Sequence, residues 1–247
     1  MPYQVEISGL GKSYDGKTVL GPVDLSIAAG NITAIIGRSG CGKSTLLRCL
    51  GGLELPSTGV IKIGDGNVKP QDIGYVFQEP RLMPWLTVEK NIGFGLTGSR
   101  ADRNAAVAEA LELVGLQDAA KLLPKQISGG MAQRTALARA LAPRPALILL
   151  DEPFSALDPF TREQMQDHLL HLHRHYGATM VLITHDMDEA LALAHRVIVL
   201  EGPPGILAGD FAPELPHPAD RTSSQFFVWK RQLHGMLSGE RKAQQAA

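Results

Sequence analysis

Apolar residues fall in short blocks along most of the chain, and the spacing within each block predicts which element it forms. Residues 4–8, 23–28 and 59–63 gather β-formers between glycine-rich turns, which predicts a small antiparallel sheet. Residues 32–36, 73–77, 146–150, 179–184 and 196–200 are continuous apolar runs, as strands covered on both faces require. Between these runs the period changes. Val107, Ala110, Leu111 and Val114 recur at helical spacing, as do Met165, Leu169, Leu172 and Tyr176. Strand and helix thus alternate after the first third of the chain, and the fold class is α/β with a mostly parallel sheet. Residues from about 87 to 142 read almost wholly as helix, an inserted helical subdomain within a main domain of residues 1–205. A proline-rich tail, 206–247, ends in a stripe of Phe226, Trp229, Leu233 and Leu237 beside Lys230 and Arg231. That stripe predicts a short amphipathic helix docked on its own domain.

The run Gly37-Arg38-Ser39-Gly40-Cys41-Gly42-Lys43-Ser44-Thr45 lies between the apolar strand 32–36 and a helical pattern of Leu46, Leu47 and Leu50. Its glycines let the backbone wrap a phosphate chain and turn successive N–H groups inward. Lys43 adds a cation aimed at the β- and γ-phosphates, Ser44 offers a hydroxyl to Mg²⁺, and the helix presents its positive end to the same anion. The spacing GxxxxGKS between a strand and a helix marks a nucleotide phosphate clamp.

Two carboxylates, Asp151 and Glu152, end the buried run 146–150, where ligands of open α/β sheets gather. The expected division of labour gives Mg²⁺ to Asp151 and the attacking water to Glu152 as orienting group and base. His185 ends the run 179–184 and is expected to contact the γ-phosphate or that water. Gln78, just past the run 73–77, is expected to contact Mg²⁺ and sense its presence. Ser128, Gly129 and Gly130 open a second helix. Ser128 suits the N-cap, and the glycines allow phosphate to approach the free amides.

Composition narrows the field further. At 247 residues and 44% hydrophobic content the chain can bury one large core. A formal net charge of −1 provides no basic field for nucleic acid. Cys41 and Cys49 would lie on the order of 12 Å apart along a helical path, beyond disulfide reach, so a reduced, cytosolic chain is expected. The thiol of Cys41 is expected to be open to alkylation among the inward amides. No apolar stretch approaches the roughly 20 residues of a membrane span, and any membrane role falls to a partner or to surface docking. His168, His171 and His175 share one side of a helix, which reads as a solvated face.

GRSGCGKST, Gln78, ISGGMAQR, LILLDEP, Ser155-Ala156-Leu157-Asp158 and His185 occur in this order. With these motifs the chain resembles an ATP-binding cassette (ABC) transport ATPase over nearly its whole length, which implies a P-loop NTPase core. The resemblance implies a head-to-tail pair of ATPase subunits, here expected to be a homodimer, in which the segment 128–130 of each closes over nucleotide on the other. It also implies that Tyr14 stacks on adenine, that Asp158 links the two sites, and that the stretch after Gln78 meets two integral membrane permease subunits. An extracytoplasmic substrate-binding protein and a place on the cytoplasmic face of the inner membrane follow from the same resemblance. The segment 82–88 (LMPWLTV), SGGM and the tail look like the nitrate, sulfonate and taurine importer ATPases.

Overall fold

β3 (Ile32–Gly37) is buried along its whole length because parallel strands flank it on both edges and helices cover it. Full burial of Ile32, Ile35 and Ile36 contributes about 1.5–3 kcal/mol each, enough to fix the strand that carries the phosphate loop. The computed structural model describes residues 2–66, 68–216 and 219–238. Its contacts divide the chain into two compact units, residues 1–68 with 177–247 and residues 69–176.

In the first unit, β1 (Val5–Tyr14) lies between β2 (Lys17–Ile27) and β4 (Thr58–Ile63) in an antiparallel sheet. The strands run further than the patches at 4–8 and 23–28 suggest, because a register shift between Ile7 and Leu10, at Gly9 with φ +58°, lets pairing resume beyond the bulge. β3 pairs in parallel with β7 (Thr179–Thr184) and β8 (Arg196–Glu201). The helices α1 (Lys43–Leu50) and α6 (Met187–Leu193) pack against this strand group.

The expected tail departs from its prediction at once. Residues 206–211 form β9 (Ile206–Phe211), antiparallel to β8, so the sheet continues across the expected boundary at 205. A half-exposed strand has no continuous apolar run, and Gly209 and Asp210 hide it further. α7 (Ser224–Ser238) follows, with Phe226 and Leu233 buried, Trp229 stacked on Phe211 at 5.2 Å, and Lys230 paired to Asp188 at 2.7 Å. The amphipathic helix therefore docks on its own unit.

In the second unit β5 (Ile73–Val76) pairs in parallel with β6 (Leu147–Asp151). Between them every α-helix and 3₁₀ turn is helical in kind: α2 (Val88–Ile92), α3 (Arg100–Leu113) and α4 (Gly129–Leu141). Side-chain caps explain the starts. Thr87 accepts from Lys90 N, Ser99 forms a capping box with Asp102, and Ser128 accepts from Met131 N at 3.2 Å. α5 (Pro159–Tyr176) closes the unit, with His168, His171 and His175 on its exposed side. Among the described residues no helix is long and apolar enough to cross a membrane.

Candidate functional site

In the first unit the phosphate loop leaves β3 and turns at once into α1. Gly40 and Gly42 take φ of +81° and +89°, a region that side chains disfavour, and Cys41 N donates to Arg38 O at 3.3 Å to close the turn. Gly42 is the N-cap of α1 with no side-chain cap, and the first turn of the helix holds no acidic residue. By contrast α2, α3 and α6 each have a side-chain cap and an acid in the first turn. A helix start of this kind suits an external anion.

Lys43 is buried at 6% exposure, with Nζ donating to Gly37 O at 2.8 Å and Arg38 O at 3.1 Å. Its ammonium is therefore pinned inside the loop instead of lying in solvent. Arg38, Ser39 and Gly40 are exposed on the outer rim, while Thr45 turns inward. Cys41 is fully buried, which corrects the expectation of an accessible thiol: Gly205 packs so closely on its carbonyl that a Cβ there would sit 2.0 Å from the oxygen. Both cysteines are free.

A Cβ on Gly37 would lie 2.3 Å from Leu200 O and 2.8 Å from Cys41 Sγ, and Leu200 O is backbone that cannot swing aside. Gly37→Ala is expected to cost about 1–3 kcal/mol, at roughly 2–4 °C of Tm per kcal/mol. Thermal unfolding without nucleotide measures it; an unchanged Tm would mean that the wall behind the loop is soft.

His185 follows β7. Because Ile36 pairs with Thr184, Gly37 and His185 leave adjacent parallel strands at one level. His185 is exposed, and the turn around it is held from below: Thr184 Oγ1 donates to the buried Glu189 at 2.6 Å and accepts from Asp186 N at 3.0 Å. Asp186 then caps α6 through Asp188 N and Glu189 N. Tyr14 ends β1 and is 39% exposed, close enough to Thr45 for the two hydroxyls to interact.

In the second unit the same register logic joins two residues 74 positions apart. Val76 pairs with Leu150, so Gln78 and Glu152 leave β5 and β6 together, and Gln78 Nε2 donates to Glu152 Oε2 at 3.3 Å. Asp151 is buried at the strand end, whereas Glu152 takes φ +47°. That left-handed backbone is uncommon for a residue with a Cβ and marks a position where side-chain direction outweighs local strain. Ser155 N and Oγ both donate to Glu152 O, fixing the turn. Asp158 accepts from Thr161 N at the start of α5, and the hydrogen bonds from Thr161 hold its carboxyl below the usual range.

α4 grips the Gln78 segment from both sides. Gln133 Nε2 donates to Phe77 O at 3.4 Å, and Arg139 donates to Pro80 O at 2.9 Å and Arg81 O at 3.0 Å. Burial pushes the Arg139 guanidinium below its ordinary pKa. At the other end of α4, Ser128 and Gly129 are exposed, and no atom lies within 4 Å of a Cβ built on Gly129.

Sequence reasoning overlooked Asn91, which is fully buried. Its Oδ1 accepts from Met83 N at 2.8 Å, and its Nδ2 donates to Leu86 O at 2.9 Å and to Met83 O and Thr87 O at 3.2 Å. It thereby ties down residues 83–87 and leaves Trp85 73% exposed. A polar residue inside an apolar helical patch was the available signal.

Taken by itself, the first unit's uncapped helix start, glycine turn and pinned ammonium have the chemistry that suits a polyphosphate, and the second unit's Gln78 and Asp151 carry oxygen donors of the kind Mg²⁺ prefers.

The ABC transporter family model matches residues 20–155. The aliphatic sulfonates import ATP-binding protein SsuB of Xanthomonas axonopodis pv. citri is 49% identical over 221 residues, covering 87% of this chain and 88% of that protein. A protein of the same description from Pseudomonas syringae pv. syringae is 50% identical over 210 residues, covering 85% and 86%. Among solved structures, a dimer of the ATP-binding cassette MJ0796 in a post-hydrolysis state, bound to ADP and Pi, is similar with a TM-score of 0.77. It is 33% identical, and the match covers 84% of this chain and 98% of that one.

Proposed function

This chain belongs to the ABC transporter family and is an ATPase of transport, and we propose that it drives import of a small anion, an aliphatic sulfonate before nitrate or taurine. The observation that carries the substrate class is near-50% identity, over most of both chains, to proteins described as aliphatic sulfonate importers' ATP-binding subunits.

In the proposed cycle the loop amides of residues 37–45 and Lys43 hold the β- and γ-phosphates, and Tyr14 stacks on adenine. Ser44, Asp151 and Gln78 hold Mg²⁺, which when bound neutralises charge on the phosphoryl oxygens. Glu152 takes a proton from water as the water oxygen bonds to the γ-phosphorus; the bond from that phosphorus to the bridging oxygen breaks and ADP leaves. His185 steadies the γ-phosphate or the water. The segment 128–130 of a second, identical copy covers the nucleotide, and Asp158 links the two sites.

Two integral membrane permease subunits receive the movement on the cytoplasmic face of the cell membrane, with an extracytoplasmic binding protein delivering substrate. The surface proposed for a permease lies after Gln78, where Trp85 is 73% exposed and Phe94, 53% exposed, lines a cleft of ≈ 630 Å³. Large exposed aromatics on an anchored loop suit a binding hot spot. Trp85→Ala is expected to lower affinity for the permease subunits, read by co-purification, roughly 30-fold or more, a loss of about 2 kcal/mol or more, while leaving ATP hydrolysis by the isolated subunit unchanged. Undiminished assembly would place the contact elsewhere.

The substrate is tested by uptake of labelled alkanesulfonates, taurine and nitrate into vesicles bearing the complete complex, with Glu152→Gln as the inactive control. Accumulation of none of the anions above that control would overturn the proposed import.

A further inference from the structure

Four side chains converge beside the phosphate loop without belonging to it. Lys12 and Tyr14, two apart on β1, share a strand face. Glu54 lies four residues past the end of α1 and accepts a hydrogen bond from the Tyr14 hydroxyl through Oε2. The carboxylate is itself held: Lys12 Nζ lies 3.9 Å from Oε2 and Arg48 Nη1 lies 3.5 Å from Oε1. Lys12 also donates to Leu55 O at 2.8 Å, and its ammonium stands 4.9 Å from the centre of the Tyr14 ring. Burial and then the bond to Glu54 push the Tyr14 hydroxyl above its ordinary pKa, so it stays protonated and donating.

The ring is thus tethered at its hydroxyl end, with a cation close to it, yet Tyr14 remains 39% exposed. A free tyrosine would have to give up two side-chain torsions on binding a base, whereas a tethered ring has lost them already. We propose that Glu54 is a positioning residue for nucleotide recognition, holding the Tyr14 ring ready to stack on adenine. The inference rests on the reading of Tyr14 as the adenine platform. A purely mechanical staple between β1 and the chain after α1 would instead affect all loop ligands alike.

The two differ in which part of the ligand notices. Binding of ATP and of inorganic tripolyphosphate is measured by calorimetry for the wild-type chain, Tyr14→Phe, Glu54→Ala, the double variant and Tyr14→Ala. Tyr14→Phe keeps the ring and removes the hydroxyl that carries the tether. Each tether variant is expected to weaken ATP about 3- to 10-fold, the cost of ordering one freed side chain on binding, and to leave tripolyphosphate unchanged. The double variant should be no weaker than either single one, since both remove the same interaction. Wild-type ATP affinity in both tether variants, with loss in Tyr14→Ala, overturns the role of Glu54 and spares the platform. Wild-type affinity in Tyr14→Ala overturns the platform itself. Equal weakening of ATP and tripolyphosphate shows a staple only and also overturns the proposal. Should Glu54→Ala fail to fold, Tyr14→Phe carries the test alone.

Discussion

Glu152→Gln is expected to lower ATP hydrolysis about 10²-fold or more while ATP binding stays near the wild-type level. The substitution is close to isosteric. The amide oxygen of the new side chain can still accept from Gln78 Nε2, which donates to Glu152 at 3.3 Å, and the turn held by Ser155 through the backbone oxygen is untouched. What disappears is a group able to take a proton from water. Loss of a general base corresponds to at least about 2.7 kcal/mol in the barrier, far above the few tenths expected of an altered surface polar contact. Phosphate release and nucleotide binding, measured on the same preparation, separate the two effects. Near-normal turnover would remove Glu152 from the role of base, and the φ of +47° would then need another reason.

Lys43→Ala acts at an earlier step. The ammonium bonds Gly37 O at 2.8 Å and Arg38 O at 3.1 Å, so its removal takes away a cation for the phosphates and two ties across the loop. A charged hydrogen bond contributes about 1.5–3 kcal/mol, which converts to an ATP affinity roughly 10- to 150-fold weaker. Thermal unfolding in the absence of nucleotide shows how much of that loss is slack in the loop. Unchanged ATP affinity would refute the reading of residues 37–45 as a phosphate clamp. Together the two variants define distinct failures: one binds normally and hydrolyses slowly, the other binds weakly.

The loop proposed for phosphate is legible in sequence because its residues are contiguous: the glycines, Lys43 and Ser44 lie within one short stretch between β3 and α1. The runs at 32–36, 146–150 and 179–184 are equally legible, since a strand covered on both faces leaves no polar alternation. β9 is illegible for the opposite reason, being half exposed and broken by Gly209 and Asp210. Asn91 escapes notice because its four partners are backbone groups of residues 83–87, which carry no residue-type signal.

By itself the sequence determined the kinds of element, the glycine-rich turn between a buried strand and a helix, and the carboxylates at a strand end, because periodicity and short motifs are set by neighbours along the chain. The tertiary structure alone decided that Gln78 meets Glu152, that His185 leaves the sheet level with Gly37, and that Leu200 and Gly205 wall the loop so tightly that no Cβ fits. Those facts depend on register between strands far apart in sequence, and register is fixed by the packing of whole faces, to which every residue of a strand contributes and which no short motif records.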